Sequence, residues 1–517
     1  MQYLSTRGKS PKISFEEAII KGIADDGGLY VPERVPKIDL QYIQNLAGMA
    51  YTDVSSEITK LFSGGLSERE IRECAGLAYN ERSFSSPDVT PLCKLDDRLS
   101  VLELFHGPTS AFKDVALQLL PPLLSLSLRK TGVKESIAIL VATSGDTGKA
   151  ALEGFRDVPG ISILVFYPKD GVSEAQKLQM ITQEGKNVSV ASVDGNFDDA
   201  QTGVKAIFAD EGANNLLRGH NILLSSANSI NWGRLMPQIT YYFRAYASLI
   251  KNGEIANGEP ISFIVPTGNF GNILAGWYAR EMGLPVSRFI CASNSNKVLA
   301  DFIKTGIYDR NRDFVVTMSP AMDILISSNL ERLLFELSGR DAACVNGWMA
   351  GLSANGWYDV GEDVHKKIKG LFFGGFASES QTAAAIKAVY DKYNYLMDTH
   401  TAVGMHVLSD YDEAAAKGVV SDNAGGGRAE KMVIVATASP YKFAKDVYLA
   451  VCGQDADAVG GTPDDIECIE LLSMVKGAPP VPAPLRNLRE KPVLHHTGVE
   501  KSQIKATALK MLIELVK

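Results

Sequence analysis

Ile261-Ser262-Phe263-Ile264-Val265-Pro266-Thr267-Gly268-Asn269-Phe270-Gly271-Asn272 is the stretch on which the fold turns. Its first five residues read as a short buried strand, the glycine-bearing segment as a turn, and Asn272 to Met282 as the helix that follows. Upstream the same grammar recurs. Ser136 to Ala142 is an apolar strand, TSGDTG (143–148) turns the chain, and KAALEGF continues as a helix. Ile161 to Phe166, the PKDG turn, a helix over Ser173 to Thr182 and a strand over Val188 to Val193 follow at once. Repeated strand, turn and helix units predict an α/β fold with a mostly parallel sheet covered by helices. The amphipathic Trp232 to Ile250 stretch separates the two sets of units and predicts two αβ lobes rather than one.

Outside these units the signals are local. Ser14 with Glu17, ahead of Ala18-Ile19-Ile20, spells a capped helix start, and Ser67 to Ala78 has helical spacing. Residues 1–95 are therefore expected to form a mainly helical amino-terminal domain, ending in the polar connection Ser83 to Pro91. Residues 96–450 form the αβ region of two lobes, with 306–378 read as inserted helices and loops and Met432 to Ala436 as a late strand. Residues 451–517 are expected to run over the surface and to finish in a helix over Ser502 to Val516, completing that region.

The chain has 517 residues, 45% of them hydrophobic and 22% charged, which fits a globular protein and excludes a fibre or a disordered tail. Sixty acidic against 52 basic residues give a net charge of −8, so no broad positive field awaits a nucleic acid. No apolar run reaches the roughly 20 residues of a membrane span, and the MQYLSTRGKSPKISF start has no apolar signal segment. The six cysteines form neither a CxxC pair nor a dense framework, which predicts reduced thiols and a cytoplasmic location.

Two of the turns are chemically suggestive. In the Gly268, Asn269, Phe270, Gly271, Asn272 loop, backbone amides and a helix start converge on a space suited to phosphate, although a plain structural turn reads equally well from the loop alone. The pattern is neither GxGxxG nor a Walker A loop, which sets NAD and ATP aside. The Thr143 to Gly148 turn offers hydroxyls and amides to a carboxylate, or serves as an ordinary cap. Upstream, Lys113 lies in HGPTSAFKD (106–114), where a desolvated amine would form an imine or move a proton. Ser110 and Lys113 also spell SxxK, a hydrolase spacing that puts both on one helix face, but no SDN or KTG turn supports it. The seven histidines give no metal-ligand cluster, and no metal is expected.

Taken in order, YLSTRG (3–8), DGGLYVP (26–32), HGPTSAFKD, ATSGDTG (142–148), SANSINWGRLMPQ (226–238), PTGNFGN (266–272), HTAVG (400–404) and ATASPYKF (436–443) resemble the threonine synthase family in its longer bacterial and fungal form. The resemblance implies the fold-type II architecture of pyridoxal 5'-phosphate (PLP) enzymes, tryptophan synthase β-like, with an added amino-terminal domain. It implies a carbon-oxygen lyase acting on phosphate, which turns O-phospho-L-homoserine and water into L-threonine and phosphate. Lys113 is then the lysine that carries PLP as an imine, Gly268 to Asn272 hold the cofactor phosphate, and Thr437 meets the pyridine nitrogen. Ser144 and Thr147 are implied to bind the substrate carboxylate, and Asn228, Asn231 and Arg234 to wall the substrate. A salt bridge at Arg234 and a solvated Lys149 are the plainer readings of those two residues. Asp146 would repel a carboxylate unless turned away, protonated or hydrogen-bonded, and Ser439 stands where relatives carry His. A PLP lyase releasing a 2-oxo acid and a non-catalytic phosphometabolite-binding protein are the alternatives. A monomer is expected, with a dimer left open.

Overall fold

Strands that are apolar along their whole length need cover on both faces, and the chain supplies it with two helix-covered sheets. The computed structural model describes residues 1–143, 145–169, 172–419, 430–453 and 463–516. In the larger sheet the strands run in the order Phe372–Phe376, Val286–Ser293, Ile261–Pro266, Lys431–Ala436, Leu99–Glu103 and Leu92–Lys94. All neighbours are parallel except the last pair. The smaller sheet is wholly parallel, in the order Thr497–Glu500, Val188–Asp194, Ile161–Pro168, Ser136–Ala142 and Ile222–Ser225. Each residue of its central strand Ile161–Pro168 is buried. These two sheets are the two predicted lobes.

One reading of the sequence needs correction. Residues 306–378 are not only insertion, because Phe372–Phe376 pairs with Val286–Ser293 as an edge strand of the larger sheet. Its FFGGF sequence hides it, since glycine weakens a strand signal. A side chain at Gly375 would come within 2.5 Å of Val407, so close packing against the helix Thr399–Ala416 demands the glycine.

Within residues 1–95 lie the helices Phe15–Lys21, Leu40–Leu46, Tyr51–Phe62 and Glu68–Ala78, together with a three-stranded antiparallel sheet of Ile13–Ser14, Gln2–Ser5 and Tyr30–Pro32. Both expected capping boxes are present, at Ser14 with Glu17 and at Ser67 with Glu70. This segment packs onto the long helix Trp232–Lys251. The Trp232 ring lies 5.6 Å from that of Tyr3, 5.5 Å from Phe62 and 5.3 Å from Tyr278. The start of that helix is thereby fixed by aromatic packing.

Candidate active site

Lys113 opens the helix Lys113–Thr131, and the turn before it is stitched to the end of the strand Lys431–Ala436. Phe112 N donates to Thr437 O at 2.8 Å, Ser439 N donates to Ser110 O at 3.1 Å, and Ala111 bridges Ala438. Ser110 stands ahead of the helix with φ +60°, so it does not share a helix face with Lys113 and the SxxK hydrolase reading loses its geometry. Only 13% of the Lys113 side chain meets solvent. Burial pushes its amine down to about 8; Asp146 opposes that shift, whereas Lys442 and Arg234 reinforce it.

The carboxylate of Asp146 lies 3.9 Å from the Lys113 amine through Oδ2. Its other oxygen accepts from Lys442 Nζ at 2.7 Å and from Gln176 Nε2 at 3.0 Å. Burial alone would raise this carboxyl, but the charges of Lys442 and Lys113 and the two hydrogen bonds hold it well below the usual carboxylate range. Its charge is thus engaged by Lys442 and Gln176. Thr143 Oγ1 accepts from both Gly145 N (3.0 Å) and Gly148 N (2.9 Å), closing part of this turn on itself. Thr147 is half-buried in the first helical turn. Ser144 falls outside the described residues.

The cofactor-loop expectation meets a different geometry. The helix Gly271–Met282 begins without a side-chain cap, and Phe270 before it is in the left-handed region at φ +62°. A side chain at Gly268 would come within 3.0 Å of Ala321 O and 3.2 Å of Met322 Cα, so only glycine lets the Pro320–Met322 turn pack this closely against the loop. Gly268 O accepts from Ser327 Oγ at 2.7 Å, and the exposed Asn269 accepts through its carbonyl from Asn329 N at 3.1 Å. Asn272 Oδ1 lies 2.6 Å from the Tyr241 hydroxyl and 2.8 Å from that of Tyr242, whereas its buried Nδ2 has no partner among the described residues. Uncapped amides and an orphaned donor fit a phosphate group.

On the substrate wall, Asn231 caps the helix Trp232–Lys251. Its Oδ1 accepts from Gly233 N at 2.8 Å, and its Nδ2 donates to Ile19 O at 2.9 Å and Ser226 O at 3.1 Å, so the amide is committed to backbone. Asn228 is half-buried. Arg234 is 2% exposed; it donates through Nη1 to Ala227 O, its Nε has no partner, and no carboxylate pairs with it among the described residues. Burial lowers it to about 10. The structural salt bridge is therefore absent there, and a buried guanidinium with a spare donor suits an anion. Lys149, in contrast to the solvated reading, is buried between Glu153 (3.2 Å) and Gln183.

Several residues escaped the sequence reading. Lys442 and Gln176 secure Asp146. Asp114 accepts from Thr109 N (2.9 Å) and Thr109 Oγ1 (2.6 Å), and burial pushes it up to about 6. Fully buried Arg332 joins Tyr30 O, Asn329 Oδ1 and Ile230 O, tying the amino-terminal sheet to the residue that holds the Asn269 carbonyl and to the segment ahead of the helix Trp232–Lys251. Lys442 lies in ATASPYKF and Asp114 in HGPTSAFKD, but those motifs pointed to Thr437 and Lys113.

Comparisons with known proteins bear on the family and the fold. Residues 2–79 match the family described as threonine synthase N terminus, and residues 86–345 match the pyridoxal-phosphate dependent enzyme family. A threonine synthase from Pseudomonas aeruginosa is 40% identical over 458 residues, covering 88% of this chain and 91% of its own length. This chain belongs to the threonine synthase family. Another member, from Saccharomyces cerevisiae, is 39% identical over 87% of this chain and 89% of its own. The crystal structure of a PLP-bound threonine synthase from Brucella melitensis superposes with a TM-score of 0.84 at 37% identity, covering 100% of this chain and 99% of that one. The two-lobed fold with an added amino-terminal segment is thus the family's fold-type II architecture. Among the described residues of this family member, no group of His, Cys, Asp and Glu is placed to hold a metal, and no helix is long and apolar enough to cross a membrane.

Proposed function

We propose that this chain converts O-phospho-L-homoserine and water into L-threonine and inorganic phosphate, with PLP as cofactor. The observation that carries the reading is a largely buried amine, Lys113, lowered by burial and by the charge of Arg234, a guanidinium that no carboxylate pairs with among the described residues, in a chain with an uncapped helix start at Gly271. In this reading Gly268 to Asn272 receive the cofactor phosphate, Lys113 carries the aldehyde carbon, and the Thr437 hydroxyl meets the ring nitrogen. A neutral hydroxyl there does not hold that nitrogen protonated. Bound PLP supplies a conjugated ring that accepts the electron pair left when a proton leaves the amino-acid carbon.

The protein side of the reaction follows from the residues. The first-turn amides around Thr147 hold the substrate carboxylate, and Asp146, its charge met by Lys442, does not repel it. Arg234 holds the substrate phosphate and, as that group leaves Cγ, takes up its growing charge. Lys113, released from the cofactor by the incoming amine, moves protons at Cα and Cβ; an amine lowered to about 8 exchanges protons readily near neutral pH. Water adds at Cβ, and Cγ and Cα regain protons. Asn231 acts through the helix start that positions Arg234, and Asn228 borders the same wall.

We read the sequence up to about residue 91 as the amino-terminal domain, since Leu92–Lys94, which the sequence reading of 1–95 put with it, pairs into the larger sheet; the region to 450 is the two-lobed catalytic region and 451–517 the segment that completes it. Six cysteines without a disulfide suit a cytoplasmic location, and we read the chain as a monomer with a dimer left open. The deciding experiment incubates the PLP-loaded protein with O-phospho-L-homoserine and measures threonine and phosphate together. Equal yields support the proposal, phosphate with a 2-oxo acid replaces it with a lyase, and neither product leaves a binding protein. Lys113→Ala is expected to abolish both the visible absorbance of bound PLP and threonine formation; full activity in that variant would reject the assignment.

A further inference from the structure

The Asp146 carboxylate lies between two lysines from different parts of the chain, and it is not shared evenly. Lys442, in the turn Pro440–Phe443 after the last strand of the larger sheet, approaches Oδ1 to 2.7 Å. Lys113 stays 3.9 Å from Oδ2, beyond a hydrogen bond. Asp146 itself opens the helix that follows a strand of the smaller sheet, and Gln176, from the next helix of that lobe, reinforces Oδ1 at 3.0 Å. Lys442 is 2% exposed and has one further contact, the carbonyl of Thr109 at 3.0 Å, in the turn that carries Lys113.

We propose that Lys442 is a positioning residue: seated between Thr109 O and Asp146, its ammonium fastens that carboxylate from across the two lobes and keeps it from closing on the Lys113 amine. The inference deepens the proposed function, on which it rests. A charge-assisted bond at 2.7 Å outcompetes an ion pair at 3.9 Å for the same carboxylate. Were Lys442 neutral, Asp146 would have one cation left beside it, and that cation is the reactive amine. The charged groups acting on Lys113 are Asp146 and Asp114, which favour its ammonium form, and Lys442 and Arg234, which oppose it. Lys442 thus acts on the amine twice, by its own charge and by occupying the carboxylate.

The test uses the full-length chain freed of cofactor and follows, by visible absorbance, the rate at which added PLP becomes attached at Lys113 as pH is varied. The wild-type rate is expected to reach half its limit near pH 8. Lys442→Gln is expected to move that midpoint up by about one pH unit, and Asp146→Asn to move it down. Lys442→Arg, which keeps the charge, is expected to bring it back toward wild type. A merely structural lysine would lower stability without shifts of opposite sign. Superimposable profiles, or shifts in the same direction for Lys442→Gln and Asp146→Asn, would overturn the inference; should Lys442→Gln not fold, Lys442→Met, equally uncharged and close to lysine in length, takes its place with the same upward shift expected. Absence of any attachment at Lys113 in the wild type would instead defeat the proposed function.

Discussion

The two strand-to-helix turns of the site, after Ile261–Pro266 and after Ser136–Ala142, share one local grammar and differ in what they leave unsatisfied. The first is held from outside: Ser327 and Asn329 take its carbonyls, while the amides at the start of Gly271–Met282 have no side-chain cap and Asn272 Nδ2 has no partner. The second is held from within: Thr143 Oγ1 takes two of its amides, and Asp146 is engaged by Lys442 and Gln176. An open cradle with fixed carbonyls suits an anion that stays, whereas a turn whose groups already have partners suits a ligand that arrives and leaves. Lys113 sits beside the second turn and pays for being ready.

Changing that amine gives the largest expected effect. Its folded value of about 8 lies below the ordinary lysine value of 10.5. Below about pH 8 both folded and unfolded chains hold the proton, and the folded chain bears the full cost of a buried charge; above about 10.5 neither does. The unfolded chain binds more protons between those limits, so the stability of the cofactor-free protein rises with pH across that window, by about 3 kcal/mol. Lys113→Met should therefore stabilise the cofactor-free chain by up to about 3 kcal/mol at pH 7, with the gain shrinking toward pH 10.5, as urea unfolding at several pH values would register. A gain independent of pH would mean that packing, not charge, is responsible. Next in size, Gly268→Val breaks the open turn alone: a side chain there meets the Ala321 carbonyl and the Met322 Cα. Overpacking of about 1–3 kcal/mol predicts PLP binding weaker by up to about a hundred-fold in an absorbance titration, with the Thr143 turn intact.

How much of this was legible in the sequence depends on the range of each signal. The strands Ser136–Ala142, Ile161–Pro168, Val188–Asp194, Ile261–Pro266 and Lys431–Ala436 declared themselves as apolar runs closed by turns, and the two capping boxes as local spacing. Phe372–Phe376 stayed hidden because its glycines answer to Val407 and Ala300, which only the fold brings near. The helix Lys113–Thr131 carries Pro121 and Pro122 in its interior, which argue against a helix at about 3 kcal/mol each; burial of Leu117, Leu120, Leu123 and Leu124 overrides them. Lys113 and the phosphate cradle stood out by their neighbours in sequence. The partners that set their chemistry, Lys442, Gln176, Asn329 and Arg332, are distant in the chain, and no local period or spacing encodes a contact between lobes.

Breaking the closed turn should give a smaller and differently distributed effect. Thr143→Val keeps the shape but leaves the Gly145 and Gly148 amides without their acceptor. A buried donor left unmade costs about 1–3 kcal/mol, and relaxation of the turn toward solvent recovers part of the cost for the pair. We expect a loss of about 2 kcal/mol in stability and roughly a tenfold higher KM for O-phospho-L-homoserine, with PLP affinity unchanged. Weakened PLP binding in this variant, comparable to that of Gly268→Val, would erase the distinction between the turns.

The smallest effect tests how firmly the open turn is held. Asn272 Oδ1 has two hydroxyls within reach, Tyr241 at 2.6 Å and Tyr242 at 2.8 Å, and its Nδ2 has no partner among the described residues. Removing one hydroxyl leaves the other to fix the amide. Tyr242→Phe should then cost about 1 kcal/mol, roughly a fivefold loss of PLP affinity, and Tyr241→Phe a similar amount. The double variant strips the oxygen of both donors, freeing the amide to rotate and leaving a buried acceptor unpaired. Its loss should therefore exceed the sum of the single losses by about 1 kcal/mol or more in a double-mutant cycle on PLP affinity. Strict additivity would show that the two tyrosines act through the packing of the helix Trp232–Lys251, and that the orientation of Asn272 does not set the cradle.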